Sequence, residues 1–86
     1  MRVNYKGKFM CQLGDWRRSD ISVRDAILEL VEAAADDPFH GIGDPHLVKE
    51  LGRGVWARHI VDHHFLIYIL ERGSVTMFSC RAIGDE

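Results

Sequence analysis

Three runs decide the fold: Val55-Trp-Ala-Arg-His-Ile-Val61, His64-Phe-Leu-Ile-Tyr-Ile-Leu-Glu71 and Val75-Thr-Met-Phe-Ser-Cys-Arg81. Each is short and rich in β-branched and aromatic residues, which suits a strand. In the second, Phe65, Ile67 and Ile69 point one way and Leu66, Tyr68 and Leu70 the other. Asp62-His63 joins the first two runs. Arg72-Gly73 joins the second to the third, a turn that calls for positive φ at Gly73. Connections this short force the strands antiparallel.

Before these strands, residues 38–54 hold both prolines and four of the eight glycines, Gly41, Gly43, Gly52 and Gly54. This is a loop region, with one turn around Leu47–Leu51. Residues 22–36 read as a helix. Ser22 caps it, with Asp25 three residues later as in a capping box. Ile27, Leu28, Leu30, Val31 and Ala34 form its apolar face, and Asp36, Asp37 and Pro38 end it. Residues 8–18 read as an earlier helix because Phe9, Leu13 and Trp16 fall at helical spacing, although Gly14 costs it about 1 kcal/mol. Val3 and Tyr5 alternate with Arg2, Asn4 and Lys6 as a first strand. The reading is a single α+β domain over 1–86, β-α-α-β-β-β, with an antiparallel sheet packed on two N-terminal helices.

The 86 residues suit one domain, and 47% hydrophobic with 28% charged residues excludes a disordered chain. Eleven Lys+Arg against 13 Asp+Glu give a net charge of −2, so bulk charge lends no support to nucleic-acid binding. No apolar run approaches the roughly 20 residues of a membrane helix. The N-terminus carries no apolar signal segment, and a cytoplasmic location is expected. Cys11 and Cys80 are too few for a disulfide scaffold or a four-thiolate zinc site, and Cys80 reads as a small buried residue. All five histidines, His40, His46, His59, His63 and His64, fall within one 25-residue stretch. His59-x3-His63 has zinc-like spacing on a helix, but here it spans a strand and a turn, where the two rings do not converge. No metal and no cofactor are expected.

One run is more specific. Pro38-Phe-His-Gly-Ile-Gly-Asp-Pro45 is followed by Lys49, Leu51, Gly54, Trp56, Arg58, Ile60, His64, Leu66, Ile67, Tyr68 and Cys80-Arg81. From Pro38 to Arg81 this pattern resembles, without a gap, the YoeB (Txe/YoeB) family of toxins within the RelE superfamily. The resemblance implies a small antiparallel sheet on two helices. It implies a ribosome-dependent endoribonuclease that cuts mRNA in the ribosomal A site. It also implies a YefM-like antitoxin partner that holds the toxin inactive, with a homodimer as a further assembly and no membrane.

RNA cleavage by the 2′-hydroxyl needs a base, a cation for the phosphorane and an acid for the leaving 5′-oxygen. The family usually has Glu where this chain has His46, and Arg where it has Phe65. The family usually ends aromatic-His-Tyr after Cys-Arg, whereas Arg81 is followed by Ala82-Ile83-Gly84-Asp85-Glu86. His46 is the candidate base, an imidazole being suited to proton transfer near neutral pH. His64, which matches the family's own histidine, and Arg81 complete the candidate catalytic set. Lys49, Arg58, His59 and His63 are candidate phosphate-binding residues. Beside these stand plainer roles: His46 as a solvated loop residue, His63 as part of a turn, His64 as a hydrogen-bonded strand-end residue, and Phe65 as core or partner-facing surface. Two other functions fit the departures. One is a catalytically silent relative that binds its antitoxin and represses its operon. The other is a gyrase-inhibiting toxin of the ParE type.

Overall fold

A computed structural model describes residues 1–82. Strand β1 (Arg2–Tyr5) leads into helices α1 (Gly7–Ser19) and α2 (Ile21–Asp36). A two-residue strand, β2 (His46–Leu47), and a 3-10 turn (Lys49–Leu51) precede β3 (Val55–Val61), β4 (His64–Glu71) and β5 (Ser74–Ser79). The five strands form one sheet in the order β1-β5-β4-β3-β2. The α+β class and the two hairpins are as read from sequence. Gly73 has a φ of 74°, as its turn requires.

Three local expectations are corrected. The sheet is mixed, because β1 pairs in parallel with β5, Arg2 opposite Ser74 and Tyr5 opposite Met77. Two helices intervene between these strands, a connection long enough for parallel pairing. His46 and Leu47 are not plain loop; they pair with Ala57 and Trp56 as an edge strand. The cap of α2 is Asp20 rather than Ser22: its carboxylate accepts from the Ser22 and Val23 backbone N–H groups and from the Ser22 hydroxyl. The helix therefore starts one residue earlier and runs through Asp36.

Alternation splits the sheet into two unlike faces. Leu66 and Tyr68 of β4 and Val75 and Met77 of β5 pack, fully buried, under Phe9 of α1 and Ile27, Leu30 and Ala34 of α2. Partners across β3 and β4 share a face, so Arg58 opposite Leu66 lies inside, and Ala57 opposite Ile67 and His59 opposite Phe65 lie outside. Between β4 and β5 the register shifts, with Ile67 opposite Ser79 and Tyr68 opposite Met77. Phe78 is the extra residue of this bulge, and it lies over the outer face beside Ile67. No helix of the described residues covers that outer face, and none is long and apolar enough to cross a membrane.

Candidate functional site

The outer face carries a cavity of about 260 Å³. Leu51, Phe65, Ile67 and Phe78 make its apolar floor, and Lys8, His63 and Arg81 stand at its edge. Every ionisable residue lining it, among the described residues, is basic. Strand alternation explains the floor: Phe65 and Ile67 are the residues of β4 that turn away from the helices. Lys8 comes from the first turn of α1, and its Nζ lies 5.3 Å from the centre of the Phe78 ring.

His46 and His59 stand against Phe65 from β2 and β3. Their ring centres lie 6.1 Å and 5.3 Å from that of Phe65, both edge-on. His46 Nδ1 is 3.1 Å from the Asp44 carbonyl oxygen. A carbonyl only accepts, so Nδ1 carries the proton and Nε2 is the basic nitrogen. By the same argument His59, whose Nε2 is 2.8 Å from the Asp62 carbonyl, has Nδ1 as its basic nitrogen. Both imidazoles are exposed.

Arg81 is held by α1. Its guanidinium carbon lies 5.2 Å above the Trp16 ring, and one terminal nitrogen is 3.8 Å from the Asp15 carboxylate. Trp16 in turn donates its indole N–H to the Cys80 carbonyl at 3.0 Å. The buried Gln12 accepts the Cys80 backbone N–H at 2.7 Å. The chain thus leaves β5 pinned to α1, and Arg81 reaches the cavity from a fixed base. Burial pushes the Cys80 thiol up to about 12, so it stays a protonated, inert core group.

Two candidate residues have other work. Arg58 is fully buried and does not reach a phosphate. Its guanidinium donates to Tyr68 Oη at 3.1 Å, to the Ile42 carbonyl at 3.0 Å and to the carbonyls of Asp37 and His40. Tyr68 Oη donates to the Pro38 carbonyl at 2.7 Å, and burial raises its pKa so that it keeps this proton. Together they fasten residues 37–43 to the sheet, and that loop leads to His46. Gly43 is where it comes closest: with φ at 84°, an added Cβ would lie 2.8 Å from Leu30 Cδ2 and 3.0 Å from Arg58 Cβ. The Gly43 carbonyl accepts the His59 N–H at 2.7 Å.

His64 is buried, packs edge-on against Trp16 at 4.9 Å, and its Nδ1 accepts the Ala82 N–H at 3.0 Å. It anchors the segment after β5. Lys49 is exposed on the 3-10 turn. Of the seven candidates, His46 and His59 meet at the Phe65 ring, and His63 and Arg81 share its cavity. The replacement of the family's usual ending falls mainly on 83–86, outside the described residues. Sequence reading missed Lys8 and the Asp15–Trp16 seat of Arg81. A Trp in the first helix was the available signal for the latter. Among the described residues, no group of three His, Cys, Asp or Glu side chains could hold a metal ion.

The class of protein is given by the family model that residues 5–83 match, described as the YoeB-like toxin of bacterial type II toxin-antitoxin system. The chain belongs to this YoeB-like family. It is 35% identical over 66 residues to the YoeB toxin of Synechocystis sp., covering 77% of each chain. Its fold is similar to the YoeB/ParE toxin from Agrobacterium tumefaciens, with a TM-score of 0.85 and 25% identity over 94% of this chain and 96% of that one. It is also similar to the toxin of the heterotetrameric YoeB-YefM complex from Staphylococcus aureus, with a TM-score of 0.81 and 21% identity over 95% of each.

Proposed function

We infer that this chain is a toxin that cleaves mRNA on the ribosome through its open sheet face, and that a YefM-like antitoxin restrains it. The observation that carries this reading is the convergence of His46, His59, His63 and Arg81 around Phe65. The geometry suits a pair of imidazoles in place of a carboxylate and a terminal acid. Nε2 of His46 takes the proton from the 2′-hydroxyl. The 2′-oxygen attacks the adjacent phosphorus, and the bond to the 5′-oxygen breaks. That oxygen leaves with a proton from a second, protonated histidine, His59 or His63. The products are a 2′,3′-cyclic phosphate and a 5′-hydroxyl. Arg81, fixed by Trp16 and Asp15, and Lys8 supply positive charge for the phosphorane. Binding of an antitoxin segment across the apolar floor of the same face blocks access, and a second copy of the chain is the other protein partner this reading admits.

The test is translation in a purified ribosome system with mRNA 3′-ends mapped. Cuts within the A-site codon are expected, and His46→Ala reduces their rate by about 10²- to 10⁴-fold, the range for loss of a general base. A folded wild-type chain that binds its antitoxin but leaves mRNA intact overturns the nuclease part. It would instead support a silent toxin acting through operon repression, for which Phe65 in the place of a cation is the favouring feature. Growth arrest with intact mRNA and inhibited gyrase would support the ParE-type alternative.

A further inference from the structure

The ring cluster around Phe65 is more than a strand needs. A half-buried β-branched residue would also meet the pairing needs of a strand. Here three aromatic rings from three strands gather on a face that no helix of the described residues covers, with His46 at 6.1 Å and 89° and His59 at 5.3 Å and 62° to Phe65. Both imidazoles come from the β3–β2 side of β4 and meet the phenyl ring at steep angles, and Phe65 stays half-buried. The adjoining cavity, about 260 Å³, is smaller than a typical ligand pocket and is the size for one ring system rather than a large molecule. Its ionisable lining among the described residues, Lys8, His63 and Arg81, is of basic residue types on a chain whose net charge is −2. A fixed aromatic surface beside a basic edge is how proteins hold single-stranded nucleic acid, by stacking bases and tracking the backbone.

We propose that Phe65, buttressed by His46 and His59, stacks one nucleobase of single-stranded RNA on the open face, while Lys8 and Arg81 take the neighbouring phosphates. This rests on the ribonuclease reading and assigns a specificity residue within it. An acidic peptide would satisfy the basic edge but leave the fixed ring surface unused, so RNA is the favoured occupant.

The experiment is a binding cycle with the full chain. A short single-stranded RNA is compared with the same RNA carrying one abasic nucleotide at each position in turn, by fluorescence anisotropy. For the wild type, one abasic position weakens binding about 5- to 150-fold, the equivalent of one lost base stack. Phe65→Leu binds the intact RNA as weakly as the wild type binds the abasic one, and does not discriminate between them. Phe65→Trp keeps the discrimination, and His59→Leu reduces it. Circular dichroism and thermal melting confirm that each variant is folded. Equal discrimination by wild type and Phe65→Leu overturns the proposal, as does a wild type indifferent to the abasic site or unable to bind RNA. Loss of antitoxin binding by Phe65→Leu with RNA binding unchanged also overturns it and makes the face a protein-docking surface. Ribosomal mRNA cuts with no Phe65-dependent discrimination remove stacking and leave the nuclease reading. Discrimination without cuts does the reverse.

Discussion

Arg58 and His59 are neighbours on β3 and sit in opposite worlds. Arg58 turns inward and spends its guanidinium on Tyr68 and three backbone carbonyls. His59 turns outward and is exposed, touching Phe65 and one carbonyl of its own hairpin. The same division runs through the whole sheet: the helix-covered face holds the core, and the open face carries the exposed imidazoles and the basic-edged cavity. A cation's chemical type therefore says little about its role until its face is known.

The comparison breaks most visibly at Arg58. Arg58→Ala leaves the Tyr68 hydroxyl without its donor and the carbonyls of Asp37, His40 and Ile42 without their partner in the interior. Each such group costs about 1–3 kcal/mol. A loss of about 3–5 kcal/mol is expected, a large share of the stability of so small a domain. His59→Ala should cost less than about 1 kcal/mol. Urea denaturation of both variants measures the contrast, and equal losses would erase it.

Gly43 tests the loop that crosses between the two faces. Gly43→Ala imposes a side chain at a positive φ and drives its Cβ into Leu30 and Arg58. A loss of about 2–4 kcal/mol is expected, with a parallel loss of activity because the loop carries His46. Retained stability with lost activity would show that the loop bears only on the site.

Cysteine reactivity sharpens the inside–outside division without changing stability. Cys11 is exposed and Cys80 is buried, its thiol pushed up to about 12. Under native conditions an alkylating reagent should modify Cys11 alone. Cys80 should react only as denaturant unfolds the chain, with the same midpoint as the fluorescence transition.

The smallest effect is a pH dependence at the ends of α2. Asp20 is held below the ordinary carboxylate range by the Ser22 hydroxyl and by the backbone N–H groups of Val23 and Ser22. Asp37 is lowered by the Phe39 backbone N–H and by His40. A lowered folded pKa means that the contribution is present above the unfolded value, near 3.9, and is lost as pH falls through the folded value. Asp20→Asn should flatten part of the fall in melting temperature below pH 4 while leaving the neutral-pH value nearly unchanged, because Asn also caps.

Much of the fold was legible because it rests on local periodicity. Period-two alternation marked β3, β4 and β5, and Gly73 marked a turn whose φ demanded it. The parallel pairing of β1 was not legible, because register between distant segments leaves no mark in either one. Asp20 was displaced by Ser22 as the cap because both residue types cap and they lie two apart. At the site, residue type located the histidines but not their neighbours. Arg58 was the main misreading, although its parity held a clue: it shares the phase of Trp56 and Ile60 and pairs opposite Leu66, a core position. The seat of Arg81 joins α1 to the end of β5, and such a contact is set by packing rather than by spacing.

The parallel seam between β1 and β5 also has a consequence for the order of events during synthesis. β5 lies between β1 and β4, so β1 has no neighbour in the sheet until β5 has been made. Its two halves meet across almost the entire length of the chain, the kind of distant closure that sets a slow step in folding. Arg81 and the bulged Phe78 arrive with that same final segment. A chain in which β5 has not yet folded back beside β1 thus has its histidines but not the full lining of the cavity.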